Sequence, residues 1–162
     1  MRISDKIILF LLFFIQLFLW HPGTAQVESF NDIRALSQNH PDSAIALVKK
    51  RYAKAVTDKD LLLQANCLQA IGWLCVNQGH YGQAQDYYFQ ADQIYRQLDS
   101  KHHLASNWSD IGVLNIFNKQ HAVAKLYFNK ALDSFRAEGD KIGEAGTLGN
   151  IGHLFEKEGS DG

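Results

Sequence analysis

Apolar and small residues recur along this chain at helical spacing and, over longer distances, at a step of 40 residues. Gly72, Gly112 and Gly152 keep that step, each preceded by isoleucine at Ile71, Ile111 and Ile151. Ala84 and Ala124, Tyr88 and Phe128, and Ala91 and Ala131 keep it too, and Ala44 stands 40 residues before Ala84. A period of this size marks stacked repeats, in which each unit buries its apolar face only against its neighbours.

Within each period the pattern predicts two helices. Asp60, Ser100 and Asp140 are good N-cap residues placed just before long apolar-periodic segments. They open first helices over about 61–78, 101–118 and 141–158. Gly79-His80 is expected to close the first of these and Gly159 the last. Second helices are expected over about 81–98 and 121–137, with Ala84, Tyr88, Ala91 and Tyr95, then Ala124, Phe128, Ala131 and Phe135, along one face. Upstream, Phe30, Ile33 and Leu36 place a short helix within 26–40. Pro41 and Asp42 suit the first turn of a helix reaching about Ala55, with Ala44, Leu47, Val48, Tyr52 and Ala55 on its buried side. No stretch alternates with a period of two, so the predicted fold is all-α, without a sheet. A glycine inside a helix is unfavourable by about 1 kcal/mol relative to alanine. Gly72, Gly112 and Gly152 are therefore expected where a neighbouring helix crosses too closely for a side chain.

The first 25 residues follow a different logic. Arg2 and Lys6 precede an apolar run from Ile7 to Trp20, and Gly23-Thr24-Ala25 supplies small residues before Gln26. That order is the one found in a secretory leader, and the run is shorter than the ~20 residues that span a bilayer comfortably. An uncleaved leader would instead hold the chain at a membrane. Loss of the leader, with Arg2, Lys6 and Asp5, takes the 16 basic and 17 acidic side chains to 14 and 16, a net charge of −2. Such a charge gives no general attraction for nucleic acid. An exported location, periplasmic or secreted, is expected.

The repeated positions resemble the tetratricopeptide repeat. Its pattern of a large residue, Leu-Gly, a further large residue, alanine, an aromatic and alanine reads here as Leu68, Ile71-Gly72, Cys75, Ala84, Tyr88 and Ala91. It returns as Trp108, Ile111-Gly112, Asn115, Ala124, Phe128 and Ala131, and begins again as Leu148, Ile151-Gly152 and Phe155. The resemblance implies a right-handed α-solenoid of antiparallel helix pairs, about three and a half repeats long. It divides the chain into a leader (1–25), a degenerate N-terminal pair (26–59), repeats at 60–99 and 100–139, and the first helix of an incomplete repeat (140–162). A step of 40 rather than the family's usual 34 implies longer helices and an extra turn near the loops. Asn115 stands where an aromatic is usual, and Lys119 where a turn glycine is usual.

In that family the first helices line a concave groove that holds peptides. Carried over position by position, the groove residues are Asn66, Gln69, Trp73, Val76 and Asn77 in one repeat and Ser106, Ser109, Val113, Ile116 and Phe117 in the next. His153 leads the third set, with Gly146, Gly149, Glu156 and Lys157. An apolar floor with amide and hydroxyl margins would suit a peptide or protein segment with hydrophobic anchors. The same residues could equally pack on further helices or a second copy, and self-association through residues 141–158 is a related expectation. The lysine, asparagine and arginine with which some family members grip the C-terminal carboxylate of chaperones are not found together here: only Asn66, Asn77 and Lys157 are of the right types, and not at the matching positions. A leader followed by such repeats also resembles the extracytoplasmic input region of bacterial sensor kinases and transcription regulators, and the unfinished last repeat suggests a piece of something longer.

Little here points to catalysis. Cys67 and Cys75 lie eight residues apart on one helix, about 12 Å, too far to bridge; small buried hydrophobes is their expected role. The seven histidines form no pattern with metal-ligand spacing, and His102-His103 reads as surface. Asn107-Trp108-Ser109 matches the glycosylation triplet, but Trp108 is expected to be buried. No cofactor, metal or enzymatic activity is expected.

Overall fold

A computed structural model describes residues 30–160. The leader segment at residues 1–25 lies outside them. From Ile33 onward the chain forms one compact unit. Its helices are α1 (Phe30–Asn39), α2 (Pro41–Thr57), α3 (Leu61–Asn77), α4 (Tyr81–Gln97), α5 (Lys101–Phe117), α6 (His121–Glu138) and α7 (Lys141–Ser160). The described residues contain no strand. From α2 on, each helix packs against the next, and α3 touches α5 as α5 touches α7. The result is an all-α array of antiparallel helix pairs, as the periodicity predicts.

The 40-residue step is built from half-units of 20. Helices α2 to α5 are 17 residues each, joined by three-residue connections. The added length therefore lies in the helices, and the connections stay short. One residue of every connection after α2 is left-handed: Lys59 (φ 57°), Gly79 (φ 76°), Asp99 (φ 50°), Lys119 (φ 58°) and Gly139 (φ 71°). The residue after it donates its N–H back across the turn, as His80 to Cys75 O (2.8 Å), Gln120 to Asn115 O (2.8 Å) and Asp140 to Phe135 O (2.9 Å). Such backward bonds satisfy helix-end carbonyls that would otherwise lack donors. Lys119 thus occupies the turn-glycine position and keeps the glycine conformation.

The caps follow the sequence in part. Asp60 accepts from Leu63 N–H (2.9 Å), and Asp140 Oδ1 accepts from Ile142 and Gly143 N–H (3.1 and 3.0 Å). Ser100 makes no such bond; its hydroxyl lies 2.7 Å from His103 Nδ1 instead. Gly159 does not end α7, which continues through Ser160.

Two of the three repeat glycines sit where the crossing requires them. A Cβ on Gly72 would stand 2.7 and 2.8 Å from ring carbons of Tyr88, and one on Gly112 would meet the ring of Phe128 as closely. Both aromatics are fully buried, with Ala84 and Ala91, and Ala124 and Ala131, beside them along the same helices. Gly152 differs, because among the described residues nothing lies within 4 Å of its Cβ position. A further close approach, Gly143 against Phe135, fixes α7 on the end of α6. Ile33 brings α1 into the core formed by Ala44, Val48, Cys67, Ile71 and Leu74.

Asn107 is fully buried and donates its amide to Tyr88 O (2.9 Å), so the glycosylation triplet is closed off in the folded chain. Trp108 is half-buried rather than buried; its Nε1 donates to Asp92 (2.8 Å) and Lys130 lies over its ring (3.9 Å). No helix of the described residues is long and apolar enough to cross a membrane.

Candidate functional site

Helices repeat by position, so equivalent residues of α3, α5 and α7 fall on one shared face. Trp73, Val113 and His153 are equivalent, as are Asn77 and Phe117, Asn66 and Ser106, and Asp110 and Asn150. Along this face the helices are joined by a ladder of polar contacts. Gln69 Nε2 donates to Ser106 Oγ (3.1 Å) and Asp110 Oδ2 (2.6 Å). One repeat on, Asn150 Nδ2 donates to Ser109 Oγ (3.1 Å), and Thr147 lies beside it (3.4 Å). From α4, the buried Tyr95 points its hydroxyl at Asn66 Oδ1 (2.8 Å) and Gln69 Oε1 (2.7 Å). This network satisfies buried polar groups and holds the amides in fixed orientations.

Asp110 is the unusual member. Burial pushes its carboxyl up to about 6, against the opposing pull of the Gln69 hydrogen bond and the Arg34 charge. Burial likewise raises the phenols of Tyr88 and Tyr95 above their ordinary range, with the Asp110 charge adding to it.

Next to this ladder lies a cleft of about 490 Å³ lined by Arg34, Ser37, Gln38, Trp73 and Asn77. The Arg34 guanidinium stands 5.0 Å from the Trp73 ring centroid, a cation–π arrangement. Helix α1 therefore supplies one wall of the cleft, and α3 supplies the floor. Further along, Phe117 is 43% exposed and its ring stacks on Tyr81 at 5.8 Å.

The groove residues expected from sequence separate into two groups. Asn66, Gln69, Trp73, Ser106, Val113 and His153 are half-buried, and Asn77 and Phe117 are exposed. Val76, Ser109 and Ile116 are buried and cannot meet a ligand at the surface: Val76 and Ile116 join core clusters, and Ser109 is covered by α7. Gly146, Gly149, Glu156 and Lys157 are exposed. Sequence reasoning overlooked Asp110 and Asn150, whose 40-residue spacing was available as a signal, and Arg34, Ser37 and Gln38, which carry no recognisable motif.

Among the described residues, no cluster of three or more His, Cys, Asp or Glu side chains is arranged to hold a metal. Cys67 and Cys75 are free and buried, and burial pushes the Cys67 thiol up to about 11 and raises that of Cys75. Both therefore behave as small apolar residues. His102 and His103 are tied into the fold: His102 Nδ1 lies 3.0 Å from Asp140 Oδ2, and His103 stacks on Tyr95 at 5.3 Å. Compared with protein families and with curated proteins, the chain matches none of them.

Proposed function

We propose that this chain is an exported helical-repeat scaffold of the tetratricopeptide type, which binds a peptide or protein segment on the face shared by α3 and α5. The observation that carries the reading is the Trp73 cleft, where an indole floor is flanked by a guanidinium, a hydroxyl and two amides. An apolar anchor with a few fixed polar groups around it is the usual composition of a recognition pocket. Amide side chains suit a peptide backbone, which offers both donors and acceptors. Exposed Phe117 and half-buried Val113 supply a second apolar contact one repeat along. Function on this reading is presentation of a preformed surface, without chemistry at the ligand. Export rests on the charge, apolar core and small-residue order of residues 1–25.

A peptide library displayed on phage, panned against the full chain, tests the reading. Selected peptides should bind the Trp73→Ala/Phe117→Ala double variant at least about tenfold more weakly, because truncated aromatic anchors commonly lose more than about 1 kcal/mol each. Undiminished affinity in a folded double variant would remove the face from consideration.

A further inference from the structure

The chemistry of the Trp73 cleft narrows what it can hold. Arg34, Ser37 and Gln38 stand at positions i, i+3 and i+4 of α1 and so share one face, and Trp73 and Asn77, four apart on α3, share another. Ile33, buried in one core cluster with Ile71 and Leu74, fixes α1 beside α3. The lining holds one cation, one indole and three neutral polar side chains, and no carboxylate. In a chain whose formal net charge is −1, this wall is locally positive. Arg34 is exposed, and among the described residues its guanidinium makes no hydrogen bond or ion pair; its contact is with the Trp73 ring at 5.0 Å. A guanidinium set over an indole uses its flat face there and keeps its N–H edge for an acceptor. Arg34 feels the charge of Asp110, but that carboxyl is turned into the polar ladder and accepts from Gln69 (2.6 Å).

We propose that the segment held in this cleft carries an acidic side chain, which pairs with the N–H edge of Arg34 while an apolar neighbour in the segment rests beside Trp73. The inference deepens the peptide-binding reading of this face and rests on it. A carboxylate fits the lining better than a phosphate. One guanidinium balances one negative charge in a two-bond pairing, whereas a phosphate group carries about −1.5 to −2 and is met by clusters of arginine. The exposed amides of Gln38 and Asn77 are then placed to take the backbone on either side of the acidic residue, since each offers both donors and an acceptor. Arg34 is thus the residue that sets specificity, and Trp73 the one that supplies contact area.

A random phage-displayed peptide library, panned in parallel on the full chain and on its Arg34→Gln variant, tests this. Asp and Glu should be enriched at one position among peptides selected on the unmodified chain and not among those selected on the variant. A selected peptide, synthesised with both ends blocked so that only side chains carry charge, should bind about fivefold more weakly once its acid is changed to the matching amide, the loss expected of an ion pair in a partly open cleft. Against Arg34→Gln the same change should cost nothing further, because the partner is already gone. The change in the peptide leaves the chain untouched, so this readout holds even should Arg34→Gln fold poorly. Peptides that lose affinity on Trp73→Ala but show no acid enrichment, or equal affinity of acid and amide forms, would overturn this inference and leave the binding face standing. Selection of no peptide, or of peptides indifferent to Trp73→Ala, would remove the face and this inference with it.

Discussion

Adding a single methyl group at Gly112 and at Gly152, which hold the same place in successive repeats, should move stability in opposite directions. At Gly112 the new Cβ would stand 2.6 Å from Phe128 Cδ1 and 2.8 Å from Cζ. Phe128 is fully buried among Ile116, Ala124 and Leu154, so its ring has no free direction in which to move. Overpacking of that kind destabilises by about 1–3 kcal/mol. Replacing a mid-helix glycine returns about 1 kcal/mol of helix propensity. The net effect of Gly112→Ala is therefore a loss between roughly zero and 2 kcal/mol. At Gly152 the clash is absent, since nothing among the described residues lies within 4 Å, and only the propensity gain of about 1 kcal/mol remains. The propensity contribution is common to both variants, so their difference isolates the crossing contact at about 1–3 kcal/mol. Urea unfolding followed by far-UV circular dichroism measures both, with unchanged slopes showing that the unfolded states are comparable. Equal stabilisation by the two substitutions would refute the packing role assigned to the repeat glycines.

Other expectations follow from particular residues. The Asp110 carboxyl titrates near 6 in the folded chain because it is buried, so the folded state holds a proton that the unfolded state has released. Stability should consequently fall as pH rises from about 4 to about 6 and then level off, by on the order of 1–2 kcal/mol after allowance for partial exposure. Asp110→Asn should abolish that slope and stabilise the chain at neutral pH, as read from unfolding curves across pH; Asn150 already occupies the equivalent position. Lys59 holds φ at 57°, which a side chain disfavours by about 1 kcal/mol or more. Lys59→Gly should raise stability by about 1 kcal/mol in the same assay. Expression in a bacterium, followed by N-terminal sequencing of the exported protein, should give a chain beginning at Gln26.

Much of the fold could be read directly because repetition multiplies weak signals. One isoleucine–glycine pair says little, but three in register with Ala84/Ala124 and Tyr88/Phe128 set every helix from 61 onward to within about two residues. The left-handed turn residues were harder to see, since only Gly79 and Gly139 declare themselves, whereas Lys59, Asp99 and Lys119 adopt the conformation under the pull of the packed helices on either side. Ser100 misled for a local reason: His103 competes for its hydroxyl. At the site, the family resemblance named positions on α3, α5 and α7 but could not separate exposed from buried ones. Val76 and Ile116 turn into the core because each lies at the edge of the stripe that meets the next helix. The cleft wall contributed by Arg34, Ser37 and Gln38 was hidden because α1 belongs to the degenerate pair, where the period is weakest.

The most direct test of the proposed binding face uses Trp73 and Trp108 as internal reporters. Trp73 lines the cleft, whereas the Trp108 Nε1–H is held by Asp92 on a different side of its helix pair. In a nitrogen–proton correlation spectrum each indole gives its own resonance, assigned by Trp73→Phe and Trp108→Phe. Titration with a phage-selected peptide should shift the Trp73 indole signal in proportion to occupancy and leave that of Trp108 in place. Movement of Trp108 with Trp73 unchanged would contradict binding at the α3–α5 face and put the contact on the outer helices instead.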